Sequence, residues 1–436
     1  MNHQIVFGSS IIDNKYIEKE NPVITFPGNT IYGKRNFSIN ENILSKHILL
    51  LGGSGCGKTN AFFFFLDNLR RNMNEDDVMI VFDTKGEFYD GYFKSGDYVI
   101  GNSNKFRTIS NTWNIFDEVL SDGWDDEMVS MNAREISAAL FHGRGSESQP
   151  FFCNAARDIF RCILVHFVRK AKNDPSFFGC LNNKCLVDAI LKFKSQHYLS
   201  IFDAYPDMHN MRTYIGDGTS NQALGVFAEL NSMMSEYFIG VFKDYKPGKS
   251  ISMRNVVREK GGKAVFVEYD LSVGETLSPI YRLLIDQALK EALSKEKNIG
   301  NVYFIADEFK LLPKLQHIDD ALNFGRGLGV KVVAGIQSID QLYDIYGKEK
   351  GAVIASGFGS LFAYHTNDGS SRDYITRRFG TNVMVYDYAN MNKNIIENRE
   401  RDGNTVEEWD QMELNLGEAI IGLGYDKPFL FKFDKY

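Results

Sequence analysis

The sequence lacks any hydrophobic run approaching the ~20 residues of a helical membrane span, and it opens without a signal-peptide pattern. The chain is therefore expected to be soluble. None of its five cysteines falls in a C-x-x-C pair. Cys180 and Cys185 are close in sequence, but a zinc site there would need further His or Cys partners. Reduced thiols in a cytoplasmic protein are the expectation. An excess of positive charge is missing too, since the formal net charge is -7. That argues against a protein that coats nucleic acid, while leaving room for a ring that keeps its basic groups inside a channel. Internal repeats and a low-complexity tail are also absent. What remains, at 44% hydrophobic and 24% charged over 436 residues, is an ordinary globular composition with room for two or three domains.

One stretch organises the rest. Residues 48–66 open as an apolar run and turn through Gly52, Gly53, Ser54, Gly55, Cys56 and Gly57. They continue with Lys58 and Thr59, then become helix-compatible. This is G-x-x-x-x-G-K-[ST] in the strand–loop–helix context of a phosphate-binding loop. The glycines let the backbone curl until its N–H groups face one anion, and the helix adds its positive end. Lys58 can reach the β- and γ-phosphates, and the Thr59 hydroxyl can hold Mg²⁺. The run Phe62 to Phe65 suits a buried helix beneath a sheet. Cys56 needs only to be small, and no redox role is assigned to it.

Residues 1–47 carry short apolar pieces broken by Pro22, Pro27 and Gly28, a small β-rich lead-in, and His47 is expected to be a strand-edge residue. Residues 78–83 form an apolar run without alternation, as in a buried parallel strand. Ligands of open α/β sheets gather at the carboxyl ends of strands. Asp83, Lys85 and Glu87 are thus expected near the nucleotide, with a solvated charged turn as the alternative. Between 118 and 245 the β-branched runs vanish. Helical spacing takes over at 128–140, 151–172, 186–193 and 223–242, with a flexible loop at 143–149. Aromatic residues on these helices are expected in the core rather than on a base-stacking platform. From 264 the α/β rhythm returns, with strands at 264–269, 302–306, 330–336, 361–364, 418–423 and 429–433 and a long helix at 278–295. The expected fold class is α/β: a P-loop NTPase with a mainly parallel central sheet and an inserted all-α domain. Residues 1–117 hold the lead-in and the first part of the nucleotide-binding domain. Residues 118–245 are the insertion, and 246–436 the second part.

Four groups join the phosphate loop. Asp307 and Glu308 end an apolar strand, where Asp307 would hold Mg²⁺ and Glu308 would polarise the attacking water. Gln337 ends the next strand. Its amide can orient water and report the γ-phosphate, or simply bond to backbone. Arg326, between Gly325 and Gly327, is either an arginine finger for a neighbouring subunit or a solvated arginine. Arg254, Arg258, Lys260 and Lys263 form a basic cluster, either a solvated face or a nucleic-acid contact.

The stretch FIADEFKLLPKLQHIDDALNFGRGLGVKVVAGIQSIDQLYDIYG (304–347) resembles the coupling proteins of type IV secretion and bacterial conjugation, the TraG/TraD-like group. HILLLGGSGCGKT (47–59) is similar to that family's P-loop with its preceding His. DTKGEF (83–88) resembles its Asp-Pro-Lys-Gly-Glu element, with Thr84 in place of the Pro, and SISMRNVVREKGGKAVFVEYD (250–270) also looks like the family. The resemblance implies a RecA-like domain carrying an all-α domain on its cytoplasmic side. It also implies a homo-hexameric ring that hydrolyses ATP with Mg²⁺. The ring would move single-stranded DNA through its channel, or hand a relaxase or another secreted protein to the secretion channel. Lys58, Thr59, Asp307, Glu308 and Gln337 match the family's motif positions, and Arg326 stands at its arginine-finger position. Family members usually begin with transmembrane helices. None is visible here, and Met1 followed by ordinary sequence favours a soluble member docked to a separate membrane anchor over a truncated one. Such a member would be cytoplasmic, or peripheral at the inner face of the cell membrane. The rival readings are a soluble RecA-like DNA translocase of another pathway and a nucleotide-gated docking platform for secreted protein substrates.

Overall fold

The strand that leads into the phosphate loop, Ile48–Leu51, is buried at every residue. In the computed structural model, which describes residues 3–11, 18–145, 150–294, 299–312, 314–390, 395–424 and 426–436, it lies parallel to Ser360–Tyr364 on one side and Val330–Ile336 on the other. Val330–Ile336 pairs in parallel with Val302–Ala306, and that strand with Val78–Asp83. Each is buried along its whole length, which is why none shows the alternation of a half-solvated strand. The register sets Leu51 opposite Ile336, and Ala306 opposite both Ala334 and Phe82. The chain therefore leaves these strands at one edge, where Gly52, Asp83, Asp307 and Gln337 come together.

These strands belong to one of two compact units, which comprises Met1–Ser95, Gly261–Ala264 and Ala292–Tyr436. Beyond Ser360–Tyr364 the sheet turns antiparallel, through Glu418–Leu423, Phe429–Phe433, Pro22–Thr30 and Gly33–Asn40. The sequence rhythm suggests that 418–423 and 429–433 continue the parallel pattern. The link between them is too short for a parallel crossover, so they form a hairpin. The β-rich lead-in is built into the same sheet. Its Phe26 and Phe37 stack at 4.5 Å between ring centroids and meet Phe65 of the phosphate-loop helix Lys58–Asn72 and Phe362. Phe62, Phe64 and Phe65 are buried, as a helix beneath a sheet requires. A further antiparallel sheet joins His3–Gly8, Thr381–Asn390 and Ile395–Asn404. Ile395–Asn404 is rich in Asn, Glu and Arg, so no apolar run announces it, and the apolar pieces at 5–7 and 383–386 in the other two strands are short.

The other unit, Gly96–Lys260 with Val265–Glu291, is mostly helical. Helices Asp126–Phe141, Pro150–Asn173, Asn183–Ile190 and Asn221–Tyr237 fall where the spacing places them. Three start at side-chain caps: Asp125 accepts from the N–H groups of Glu127 and Met128, Asn182 from Cys185, and Ser220 from Ala223. Residues 146–149 of the expected loop lie outside the described residues. Strand Tyr98–Gly101 pairs in parallel with 265–268, and Thr112–Trp113 with Ser250–Ile251. Among the described residues, no helix is long and apolar enough to cross a membrane.

Candidate functional site

The loop after Ile48–Leu51 is shaped by backbone that only glycine adopts easily. Gly55 and Gly57 have φ of 73° and 111°. A Cβ on Gly57 would also stand 3.0 Å from the Cα of Gly417. Gly417 in turn donates its N–H to the Cys56 carbonyl at 3.0 Å. From below, the Gly53 N–H bonds the His365 carbonyl at 2.8 Å, and a Cβ on Gly52 would stand 2.5 Å from the Cβ of Tyr364. The cradle is thus braced by two segments more than 300 residues away in sequence, a support with no local signal. Gly55 itself has open space around its Cβ position. Burial raises the Cys56 thiol above its ordinary value, which fits a small filler rather than a reactive thiolate.

Lys58 begins the helix and is buried, and its Nζ donates to the carbonyls of Gly52 at 2.6 Å and Gly53 at 3.1 Å. The charge is held at the mouth of the loop by its own backbone. Next to it, the Thr59 hydroxyl donates to Asp307 Oδ2 at 2.8 Å. Asp307 is 8% exposed. Burial pushes its carboxyl up to about 6 against the Thr59 hydrogen bond. Glu308 adds to the rise, and Lys58 and Lys85 oppose it. A hydroxyl and a buried, under-neutralised carboxylate in contact suit a hard divalent cation, so Thr59 and Asp307 are the residues fitted to hold Mg²⁺. Glu308 is held from the other side, for the Gln337 amide donates to both its carboxylate oxygens, at 3.1 and 3.2 Å. The Gln337 N–H bonds Gln341 Oε1 at 3.1 Å.

Lys58, Thr59, Asp307, Glu308 and Gln337 are therefore one constellation. Asp83 lies beside it in the sheet, but its carboxylate is already used by the N–H groups of Lys85 and Phe88, both at 2.9 Å. It shapes the turn, while exposed Lys85 contributes field at Asp307. Arg326 is elsewhere. It lies just before Val330–Ile336 and Gln337 just after it, and a strand of seven residues spans roughly 20 Å. Its guanidinium donates to Asn42 Oδ1 at 3.1 Å. Nearby, buried Lys331 pairs with Glu41 at 2.8 Å. His47 is not the edge residue expected. It is buried and accepts the Val332 N–H at Nδ1, and burial lowers its imidazole to about 4.

The basic cluster is neither a solvated face nor a nucleic-acid contact at Arg254 and Arg258. Arg254, 6% exposed, donates to Glu291 at 2.9 Å and Asp122 at 2.7 Å, and Arg258 reaches the same two carboxylates at 2.6 Å. Burial works to raise the Asp122 carboxyl, but hydrogen bonds from Arg254, Asn132 and Arg258 hold it below the usual range. Four alternating charges close a network that spacing alone does not reveal, because its acids lie far from its arginines in sequence.

A family model described as the type IV secretion-system coupling protein DNA-binding domain matches residues 35–416. The chain belongs to the type IV secretion-system coupling proteins. It is 24% identical to coupling protein TraD of Escherichia coli (strain K12) over 311 residues, 70% of this chain and 40% of TraD. It is 27% identical to conjugal transfer protein TraG of Agrobacterium fabrum (strain C58 / ATCC 33970) over 132 residues, 30% of this chain and 20% of TraG. The matched region thus spans two-fifths of TraD's length and one-fifth of TraG's. Among solved structures, the conjugative coupling protein TrwB lacking its N-terminal segment superposes with a TM-score of 0.75 at 17% identity, covering 99% of this chain and 94% of that one. TrwB in complex with ADP and Mg²⁺ gives 0.74 at 17% identity, with the same coverage. VirB4 of Thermoanaerobacter pseudethanolicus gives 0.57 at 12% identity, covering 96% and 98%. These likenesses establish the fold of this coupling protein as that of an α/β P-loop NTPase.

Proposed function

We propose that this coupling protein is a Mg²⁺-dependent ATPase that works as a homo-hexamer at the cytoplasmic face of the cell membrane. It would drive single-stranded DNA, or a relaxase bound to it, toward a secretion channel. The observation that carries the reading is the contact of Thr59 with Asp307, beside a Glu308 held by Gln337, at the open end of a glycine cradle. Lys58 and the loop amides bind the phosphates. Thr59 and Asp307 would hold the cation, which would supply positive charge to offset that of the phosphates. Glu308 takes a proton from water, and Gln337 keeps its carboxylate aimed. Arg326, at the far end of its strand from its own phosphate loop, serves the site of the next subunit. TrwB in complex with ADP and Mg²⁺ and with ATP and GTP analogues supports the nucleotide.

The test is Mg-ATP turnover against protein concentration, with and without single- and double-stranded DNA, at two salt concentrations. A steep concentration dependence and a DNA stimulation that fades with salt are expected. Turnover indifferent to both would sink the motor and leave a nucleotide-gated docking switch.

A further inference from the structure

The helical unit contains a cavity of about 400 Å³ lined by Arg134, Ser137, Arg157, Asp158 and Arg161. Its lining comes from helices Asp126–Phe141 and Pro150–Asn173. The concentration of arginine is not a consequence of composition. Residues 118–245 hold 16 Asp and Glu against 12 Lys and Arg, and only six of those cations are arginines. Half of the six surround this one cavity, with a single carboxylate for company.

That carboxylate is already engaged. Asp158 accepts from Arg157 at 3.2 Å through Oδ1 and from the Tyr214 hydroxyl at 3.0 Å through Oδ2. Arg134 and Arg161 form no ion pair among the described residues. The contrast with Arg254 and Arg258 in the same unit is direct, since those two are closed by two carboxylates. Arg134 and Arg161, lining a cavity whose one carboxylate is already engaged by Arg157 and Tyr214, favour an anion with several acceptor oxygens. Tyr214 ties an aromatic ring to the rim. It packs edge-on against Phe151 at 6.0 Å, and Phe151 is 38% exposed. An anion alone does not require aromatic rings beside it. A nucleic-acid strand with unstacked bases does.

We propose that this cavity seats the phosphodiester backbone of single-stranded DNA, with a neighbouring base stacked on the Tyr214–Phe151 pair. The inference rests on the DNA reading above and adds to it the residues that make the contact.

The measurement is fluorescence anisotropy of a short labelled oligo-thymidine on the full chain across a series of salt concentrations. Arg134→Gln/Arg161→Gln should weaken binding about tenfold at low salt. It should also flatten the plot of log K against log salt by about 1.4, or ~0.7 for each phosphate no longer neutralised. Arg134→Lys/Arg161→Lys should keep the wild-type slope. Tyr214→Leu should weaken binding roughly tenfold and leave the slope alone. Basal Mg-ATP turnover, unchanged in each variant, reports that the chain is folded. The proposal is overturned if the glutamine variant keeps wild-type affinity and slope. It is also overturned if labelled poly-glutamate binds wild type and loses that binding on the glutamine variant while the oligonucleotide binds both alike, which would assign the cavity to an acidic protein partner. A wild type that binds no oligonucleotide at any salt would remove the DNA reading itself.

Discussion

The two units treat buried charge in opposite ways. In the sheet unit, Asp307 is buried beside a hydroxyl, and burial pushes its carboxyl up to about 6, with the Thr59 hydrogen bond and the fields of Lys58 and Lys85 opposing the rise only in part. In the helical unit, buried Arg254 is paired with both Asp122 and Glu291, and the more exposed Arg258 bonds the same two carboxylates from outside. A buried charge with its protein partners in place holds elements together. One left short of partners is held for a ligand. Arg134 and Arg161 differ from Arg254 in a related way, having no ion pair among the described residues, although all three look alike in sequence.

This comparison can be broken by substitution. The largest effect is expected in the sheet unit. Glu308→Gln should keep nucleotide affinity, measured with a fluorescent analogue, while turnover falls about 10³-fold. Arg326→Ala should lose turnover by a similar factor of about 10³. If its guanidinium serves the adjoining subunit, mixing Arg326→Ala with Lys58→Ala chains should restore part of the activity, because some interfaces then carry both groups. No recovery at any mixing ratio would count against an arginine acting between subunits.

Next comes the closed network. Arg254→Ala leaves buried Glu291 and half-buried Asp122 with only the more exposed Arg258 between them and should destabilise the protein by about 3–5 kcal/mol in urea unfolding. A loss below about 1 kcal/mol would mean that water enters and solvates the acids, and the contrast with Asp307 would weaken.

The smallest effect has the opposite sign. Because the Asp307 carboxyl titrates higher in the folded chain than in the unfolded one, its charge costs stability that is absent below about pH 4 and fully present above about pH 6. Without nucleotide or Mg²⁺, Asp307→Asn should therefore raise stability above pH 6 by roughly 1–3 kcal/mol and abolish turnover. It should also flatten the wild-type decline between those pH values. A destabilised Asp307→Asn would show that the Thr59 contact outweighs the burial.

Much of this was legible in order along the chain. The glycines, Lys58 and Thr59 are one local word. Asp307 and Glu308 follow an uninterrupted apolar strand and Gln337 one interrupted only by Lys331, so period and position found them together. The helices of the second unit were legible from spacing and caps. What escaped depended on pairings at long range. Asp83 ends its strand as Asp307 does, yet its oxygens are taken by the next turn. The strand 395–404 contains too few apolar residues to stand out, and the apolar run 383–386 is short and flanked by polar residues. Gly417, which closes the cradle, sits in a loop that looks like any other. The arginine cavity needed two helices aligned before its three side chains became neighbours.

One strand now has a consequence for timing. Val330–Ile336 carries Gln337 at one end and Arg326 at the other, with the Arg326 end tied through Asn42 to the segment that runs directly into the phosphate loop. If the proposed ring forms and Arg326 serves the adjoining subunit, each such strand would be a stiff rod with its two tips in consecutive nucleotide sites. A shift of the rod when one site loses its γ-phosphate would then withdraw or deliver the arginine at the next. Sites linked tip to tip in this way would fire in sequence rather than at random, in an order set by the direction in which the rods point around the ring.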